Sequence, residues 1–183
     1  PTSTERALAA GGRLGPRGAV RGVDDGVLRV RVNEPGIGTS GIRTQGDPNT
    51  VLALDELMVN NRRDWLVREI LHFMKRTLKR VDLTSRTFFA FIEPGSAFAG
   101  SLFELALAAD RSYMLHDDDE ENVVALSRLN FDLLLMSNGI TRLRTRFPND
   151  DLTLAQLLAH ERQFTPAQPA ATGLVPHAPA PRP

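Results

Sequence analysis

IEPGSAFAGSLFELALAAD, residues 92–110, joins the end of an apolar run to a helical pattern through a turn of small residues. The run Thr87–Ile92 is almost continuous in aromatic and branched residues, which predicts a buried strand of a parallel sheet covered on both faces. Residues 102–109 are rich in Leu and Ala and predict a helix, and residues 111–115 predict the next strand. Strand, turn, helix and strand within about thirty residues form a right-handed crossover unit, so the predicted class is α/β.

The turn itself has two interpretations. Backbone N–H groups at the start of a helix lie at the positive end of its dipole and can stabilise an anion, including the oxyanion of a thioester enolate. Small side chains would let a ligand approach this backbone closely; they are Gly95, Ser96, Ala97, Ala99, Gly100 and Ser101. The same residues could instead let the helix pack tightly against the sheet, and the residues alone leave both interpretations open.

Other segments flank this unit. Residues 65–81 have apolar residues every three or four positions and basic residues between them, which predicts an amphipathic helix with a basic outer face. That face is a solvated surface or an anchor for a phosphate-bearing ligand or an acidic partner. Residues 27–32 alternate Val or Leu with Arg and fit a strand, although Asp24 and Asp25 before them equally suit a helix start. Residues 33–46 predict a loop, with one short strand at 40–43. A last helix is predicted from Asp151 to His160, with Asn149 or Asp150 as its cap.

Composition restricts the class of protein. The chain has 183 residues, which suits one domain, and 22 basic residues balance 22 acidic ones. This balance argues against nucleic-acid or membrane partners. The absence of cysteine and of an apolar leader favours a cytoplasmic protein. The predicted organisation is a flexible segment at 1–22, a folded domain at 23–164 and a loosely packed Pro/Ala-rich tail at 165–183.

Three further patterns predict no site. The acidic run 117–121 lacks the alternating ligands of a calcium loop and predicts a solvated loop. Gly36, Gly38 and Gly41 have the spacing of a dinucleotide motif but open no helix. No metal site is expected, because the scattered histidines show no paired ligand spacing; they are His72, His116, His160 and His177.

The order of buried strand, small-residue turn and ELALAAD, residues 104–110, resembles the crotonase (enoyl-CoA hydratase/isomerase) superfamily. Residues 60–115 strongly resemble the benzoyl-CoA-dihydrodiol lyase family within it, in the later, C-terminal part of that longer family. Similarity is weaker at residues 23–47 and 129–147 and at the GLV that starts at Gly173. The resemblance implies a partial crotonase-like (ClpP/crotonase) fold of repeated ββα units. It also implies a homo-oligomer and no permanently bound cofactor, since the substrate itself carries coenzyme A.

The resemblance also implies site residues. The first oxyanion donor would be the backbone of Thr44, in the motif Thr44-Gln45-Gly46-Asp47, and the second would be Gly100 or Ser101. Glu104 coincides with one acid/base position of the hydratases, although a structural hydrogen bond would explain it equally well.

The chain departs from the hydratase pattern at three positions and from its close relatives at a fourth. Arg128 stands where the second hydratase carboxylate is expected, with Asp132 at a Gly position and Leu135 at a Pro position. A guanidinium cannot act as a general base at neutral pH. Ala97 stands where close relatives tend to have Cys.

Three functions are compatible with these residues. The first is a fragment or shortened relative of an enzyme that opens the ring of a dihydrodiol carried as a CoA thioester, with little turnover alone. The second is a non-catalytic crotonase-like scaffold or dimerisation module, which the residues at 128 and 132 favour. The third is an enoyl-CoA hydratase or isomerase; the missing carboxylate argues against hydration, although isomerases can work with one acid.

Overall fold

Three parallel strands form the main sheet of the computed structural model, which describes residues 16–115, 122–159, 163–165 and 173–176. In sequence and in space they follow the order β1 Thr39–Ile42, β2 Thr87–Ile92 and β3 Arg111–Met114. Thr39 pairs with Thr87 and Phe89 pairs with Arg111 in parallel register. The predicted α/β class, the short first strand and the central crossover unit are therefore confirmed.

The described ranges contain seven helices. They are α1 Pro16–Val32, α2 Pro48–Asn60, α3 Trp65–Asp82, α4 Gly100–Ala108, α5 Leu129–Asp132, α6 Arg142–Arg146 and α7 Asp151–Ala159. Two short strands, β4 Val124–Ala125 and β5 Gln163–Phe164, pair antiparallel. The helices predicted at 65–81, 102–109 and from Asp151 are confirmed. Of the two candidate caps of α7, Asp150 accepts the N–H of Thr153 at 3.0 Å.

The two faces of β2 differ, which corrects the prediction of a strand covered on both sides. Phe88, Ala90 and Ile92 point into the core and are buried, whereas Phe89 and Phe91 are half-buried. On the half-buried face both phenylalanine rings pack against the Tyr113 ring, with centroids 6.0 and 6.1 Å apart. The aromatic residues on this face therefore pack against one another across β2 and β3.

Residues 27–32 lie in helix α1, so the strand alternative is wrong. Val20 and Val27 are buried in the core, with Val23 half-buried beside it, and these residues lie on one side of the helix. This side packs against α3. The alternation of Val and Arg in residues 27–32 fits a helix because Val27 and Val30 also have a spacing of three.

Both predicted terminal segments contribute to the core. Helix α1 begins at Pro16, before the boundary predicted at residue 22, and Val20 is buried. Leu174 and Val175, within the tail predicted at 165–183, are fully buried in the same core. Loose packing is therefore wrong for these residues, since each provides apolar surface that the core covers.

Some predictions fall outside the described residues, namely the acidic run 117–121 and the residues His116, His160 and His177. His72 is exposed on α3. Among the helices of the described ranges, none is long and apolar enough to cross a bilayer.

Candidate functional site

The carboxyl ends of β1 and β2 bring the two predicted donor segments together. Parallel strands end at the same edge of a sheet, where ligands of open α/β folds commonly bind. After β1 the Thr44 hydroxyl accepts the N–H of Ala97 at 3.0 Å, and the Gly46 N–H donates to the Gly95 carbonyl at 3.1 Å. The loop of Thr44 thus packs directly on the small-residue turn that precedes α4.

Gly100 opens α4 in a conformation that only glycine adopts easily, because its φ is +46°. A Cβ atom built there would lie 2.0 Å from Oδ2 of Asp55 and 2.9 Å from Oγ of Ser127. The glycine is therefore required by a close side-chain contact as well as by its backbone angle. Its carbonyl oxygen accepts the side-chain amide of Asn130 at 2.9 Å.

The Ser101 N–H, one of the predicted oxyanion donors, has an internal acceptor. It donates to Oδ2 of Asp55 at 2.7 Å, and the Ser127 hydroxyl donates to the same oxygen at 2.7 Å. Asp55 lies on α2 and its side chain is buried. Its second oxygen, Oδ1, is buried and has no hydrogen-bond partner among the residues that the structure describes. The start of α4 therefore holds an anion, and that anion is a side chain of this chain.

Burial raises the pKa of Asp55 to about 6, although the hydrogen bonds from Ser127 and Ser101 lower it. A carboxylate taken out of water is destabilised relative to its protonated form. The protein therefore maintains at this position a carboxyl group that titrates close to neutral pH.

Glu104 is fully buried one turn into α4, and both of its oxygens are engaged. Asn130 donates to Oε1 at 2.7 Å and Arg142 donates to Oε2 at 2.9 Å. Arg142 in turn contacts Asp82 twice, at 2.9 and 2.5 Å. We call Glu104, Arg142 and Asp82 the buried ionic triad; it connects α4, α6 and α3.

Burial raises the pKa of Glu104 to about 7, while Arg142 and the hydrogen bond from Asn130 lower it. The geometry corresponds to the structural hydrogen bonding considered for this residue, because each of its two oxygens accepts a hydrogen bond from a buried side chain. The triad links three helices, and less than a fifth of each of its side chains is exposed.

The three residues that depart from the hydratase pattern lie around α5. Arg128 and Asp132 are exposed, and Leu135 is half-buried in an isolated bridge with Thr141. Arg128 directly follows Ser127, whose hydroxyl contacts Asp55. The side of the site where a second carboxylate was expected therefore carries a guanidinium.

Sequence reasoning missed the partners of the candidate residues, namely Asp55, Ser127, Asn130 and Arg142. One signal for Asp55 was available: it is an acid at a position that the apolar residues Leu52 and Met58 place on the buried side of α2. In the described part of the chain, no group of three or more His, Cys, Asp or Glu side chains is arranged to hold a metal ion.

The raised pKa values predict how stability depends on pH. Between about pH 4 and 7 the folded chain holds protons on Asp55 and Glu104 that the unfolded chain has released. The free energy of unfolding should therefore fall as the pH rises through this window, by roughly 3 kcal/mol for Asp55 alone. Urea unfolding at pH 4.5, 6 and 8 measures this.

Asp55→Asn supplies the control, since a neutral amide of the same size cannot bind or release the proton. The free energy of unfolding of this variant should therefore fall less steeply with pH than that of the wild type. Asp47 and Asp150 have lowered pKa values because threonine hydrogen bonds stabilise their charged forms, so their contributions are lost only below this window. Wild-type stability that rises from pH 5 to 8 would contradict the prediction.

Comparisons with known proteins confirm the resemblance seen in the sequence. The chain is 42% identical over 168 residues to the benzoyl-CoA-dihydrodiol lyase of Aromatoleum evansii. The match covers 91% of this chain but only 30% of that relative. No protein-family model matches the chain.

Solved structures show the fold. AtuE of Pseudomonas aeruginosa superposes with a TM-score of 0.60 at 17% identity, covering 90% of this chain and 60% of that one. An enoyl-CoA hydratase of Bacillus anthracis gives 0.58 at 14% identity, covering 88% and 59%, respectively. One of Bacillus halodurans gives 0.56 at 15% identity, covering 91% and 64%. The chain therefore has part of the fold of enoyl-CoA hydratases, and the partial crotonase-like fold predicted from the sequence is confirmed.

Proposed function

We propose that this chain takes part in opening the ring of a dihydrodiol carried as a CoA thioester, within a benzoyl-CoA-dihydrodiol lyase. The observation that carries the proposal is the 42% identity, which extends over nearly the whole of this chain. The fold supports it, because the two segments implied as oxyanion donors meet at one edge of the sheet. Since the chain spans 30% of that relative, the reaction is assigned to the larger protein and not to this chain alone.

In this proposal the start of α4 stabilises negative charge on the thioester oxygen. The Ser101 N–H and the loop of Thr44 are the donors, and the dipole of α4 adds to their effect. In this structure the Ser101 N–H donates to the Asp55 carboxylate. A thioester oxygen can therefore accept this N–H only after the hydrogen bond to Asp55 has broken. Loss of the negative charge on Asp55 would weaken that hydrogen bond and favour the exchange.

In this proposal, carboxylates other than Glu104 act as the general acid and the general base. Both oxygens of Glu104 are held by Asn130 and Arg142, and its side chain is fully buried. Asp55 is the carboxylate at the donor position, and the remaining groups belong to the rest of the larger protein. The proposal includes no permanently bound cofactor, a homo-oligomer and a cytoplasmic location, all of which rest on the resemblance.

A non-catalytic scaffold or dimerisation module is the second candidate, and a specific observation favours it. The Ser101 N–H and Glu104 are both satisfied by other side chains of this chain, as expected if these groups only stabilise the fold. A hydratase or isomerase has less support, because a guanidinium occupies the position of the second carboxylate.

Calorimetric titration with benzoyl-pantetheine tests the proposed function, because this compound contains the thioester and no phosphate group. We expect weak saturable binding to the wild type, and binding several-fold tighter to Asp55→Asn, in which the competing acceptor is uncharged. Asp25→Asn removes an exposed carboxylate of α1 and should leave binding unchanged. Absence of binding to the wild type and to both variants would favour the scaffold.

Turnover separates the enzymatic candidates. The chain is assayed with a dihydrodiol of benzoyl-CoA and with a simple enoyl-CoA, in the presence and absence of the remainder of the related lyase. We expect ring opening only when that remainder is present. Hydration of the enoyl thioester by this chain alone would instead identify a hydratase.

A further inference from the structure

Three arginines line one cavity on the surface of the molecule. The cavity has a volume of about 400 Å³ and lies where the end of α2 meets the segment that leads into α5. Its charged lining consists of Arg62, Arg63, Arg128 and Asp132. We call this the arginine pocket.

The positive charge of the arginine pocket is not neutralised locally. Among the described residues, no carboxylate forms an ion pair with Arg62, Arg63 or Arg128. The lining carries three guanidinium groups and one carboxylate, that of Asp132, so its formal charge is two positive units in a chain whose formal net charge is zero. Like charges held together without partners repel one another, and a bound anion relieves this repulsion.

Hydrogen bonds hold the backbone on both sides of the arginine pocket. Asn61 donates its side-chain amide to the Leu57 carbonyl at 2.8 Å, and the carboxylate of Asp64 caps α3 through the Leu66 N–H at 2.8 Å. On the other side the Ser127 N–H donates to Oδ1 of Asn130 at 2.8 Å. The arginines therefore project from fixed positions, which lowers the entropy lost when they bind a ligand together.

We propose that the arginine pocket binds a ligand through a doubly charged phosphate group. A guanidinium presents planar pairs of N–H donors that match two oxygens of a phosphate, and a phosphate dianion balances the two positive units of the pocket. A carboxylate ligand supplies only one negative charge and would leave the pocket positive.

A neighbouring cavity indicates that the ligand also has an organic part. This second cavity measures about 390 Å³ and shares Arg128 and Asp132 with the arginine pocket. Apolar side chains line it, including Phe131, Leu154 and Leu158. A phosphate ester could therefore place its phosphate among the arginines and its apolar part here. This site goes beyond the proposed function, which concerns the thioester oxygen at Ser101.

The single tryptophan of the chain provides the readout. Trp65 follows Arg62 by three residues and is 62% exposed, so its fluorescence should respond to a ligand in the arginine pocket. The probes are inorganic phosphate, pyrophosphate, adenosine 3′,5′-bisphosphate and, as a dicarboxylate, succinate. We expect saturable binding of the phosphate compounds and at least tenfold weaker binding of succinate.

Substitutions test the assignment. Arg62→Ala, Arg63→Ala and Arg128→Ala should each weaken binding of the bisphosphate about tenfold, a change equivalent to about 1.4 kcal/mol. Arg29→Ala removes an exposed arginine of α1 outside the pocket and should leave binding unchanged. All four variants change exposed residues, and circular dichroism confirms that each is folded.

Each outcome decides the proposal. Tighter binding of the bisphosphate than of inorganic phosphate identifies a phosphate ester as the ligand, and equal binding identifies the free ion; both support the site. The proposal is overturned if no phosphate compound binds saturably, or if Arg29→Ala weakens binding as much as the pocket variants do. It is also overturned if succinate binds as tightly as the phosphate compounds. Benzoyl-pantetheine contains no phosphate, so failure of the arginine pocket and failure of the proposed function are distinguishable.

Discussion

Arg142→Met should reduce the free energy of unfolding by about 3–5 kcal/mol at pH 8, because Glu104 then lies buried without its cation and has to take up a proton that solvent at this pH supplies only at a cost. The substitution preserves much of the side-chain volume and removes the contacts to Asp82 as well. At pH 5 the loss should be smaller, since Glu104, with a pKa of about 7, already holds a proton there in the wild type. Urea unfolding followed by circular dichroism at both pH values measures the effect.

A nearby arginine provides the matched control. Arg144 forms an exposed ion pair with Asp151 at 2.9 Å, so Arg144→Met should cost less than about 1 kcal/mol. The double variant Glu104→Gln/Arg142→Met should lose less free energy of unfolding than the sum of the losses of the two single variants, because it no longer contains a buried ionisable group without its partner. Equal losses in Arg142→Met and Arg144→Met would show that the buried ionic triad contributes nothing to stability.

Gly100→Ala should destabilise the chain by about 3 kcal/mol or more, for two reasons that add. A left-handed backbone angle costs an alanine about 1–2 kcal/mol. The new methyl group would also displace the carboxylate of Asp55 from the Ser101 N–H, which leaves buried polar groups unpaired. Thermal and urea unfolding measure the sum of both effects.

Gly95→Ala separates the two contributions. Gly95 has a φ of +77°, and a Cβ atom there would meet no other atom within 4 Å, so only the backbone term applies. Adding Asp55→Ala to Gly100→Ala makes room for the methyl group and should recover part of the loss. If Gly100→Ala costs no more than Gly95→Ala, the contact with Asp55 is not what requires glycine at position 100.

Local patterns predicted the central unit of the fold well. Strand β2, the turn and α4 follow from a continuous apolar run, a cluster of small residues and a Leu/Ala-rich segment, which are properties of neighbouring residues. Helix α1 was ambiguous, because its Val and Arg residues fit both a strand and a helix over residues 27–32. Its contact with α3 decides between them, and no local pattern contains that contact.

The candidate site was predicted only in part, because some of its contacts also depend on helix packing that local sequence patterns do not contain. The meeting of the Thr44 loop with the turn follows from the parallel order of β1 and β2. The partners of Ser101 and Glu104 do not follow, because Asp55 is 46 residues from Ser101 and Arg142 is 38 residues from Glu104. Which buried acid meets which donor depends on the packing of whole helices.

The burial of Leu174 and Val175 affects the order of events during synthesis. Both side chains belong to the core that α3, α4 and β2 build from residues far earlier in the chain. A growing chain can form the local helices first, but its core stays open to solvent until these two residues have left the ribosome. Contacts between such distant residues slow folding and prolong the exposure of apolar surface. Chaperones that bind such surfaces would therefore have access to this core until residues 174 and 175 have emerged.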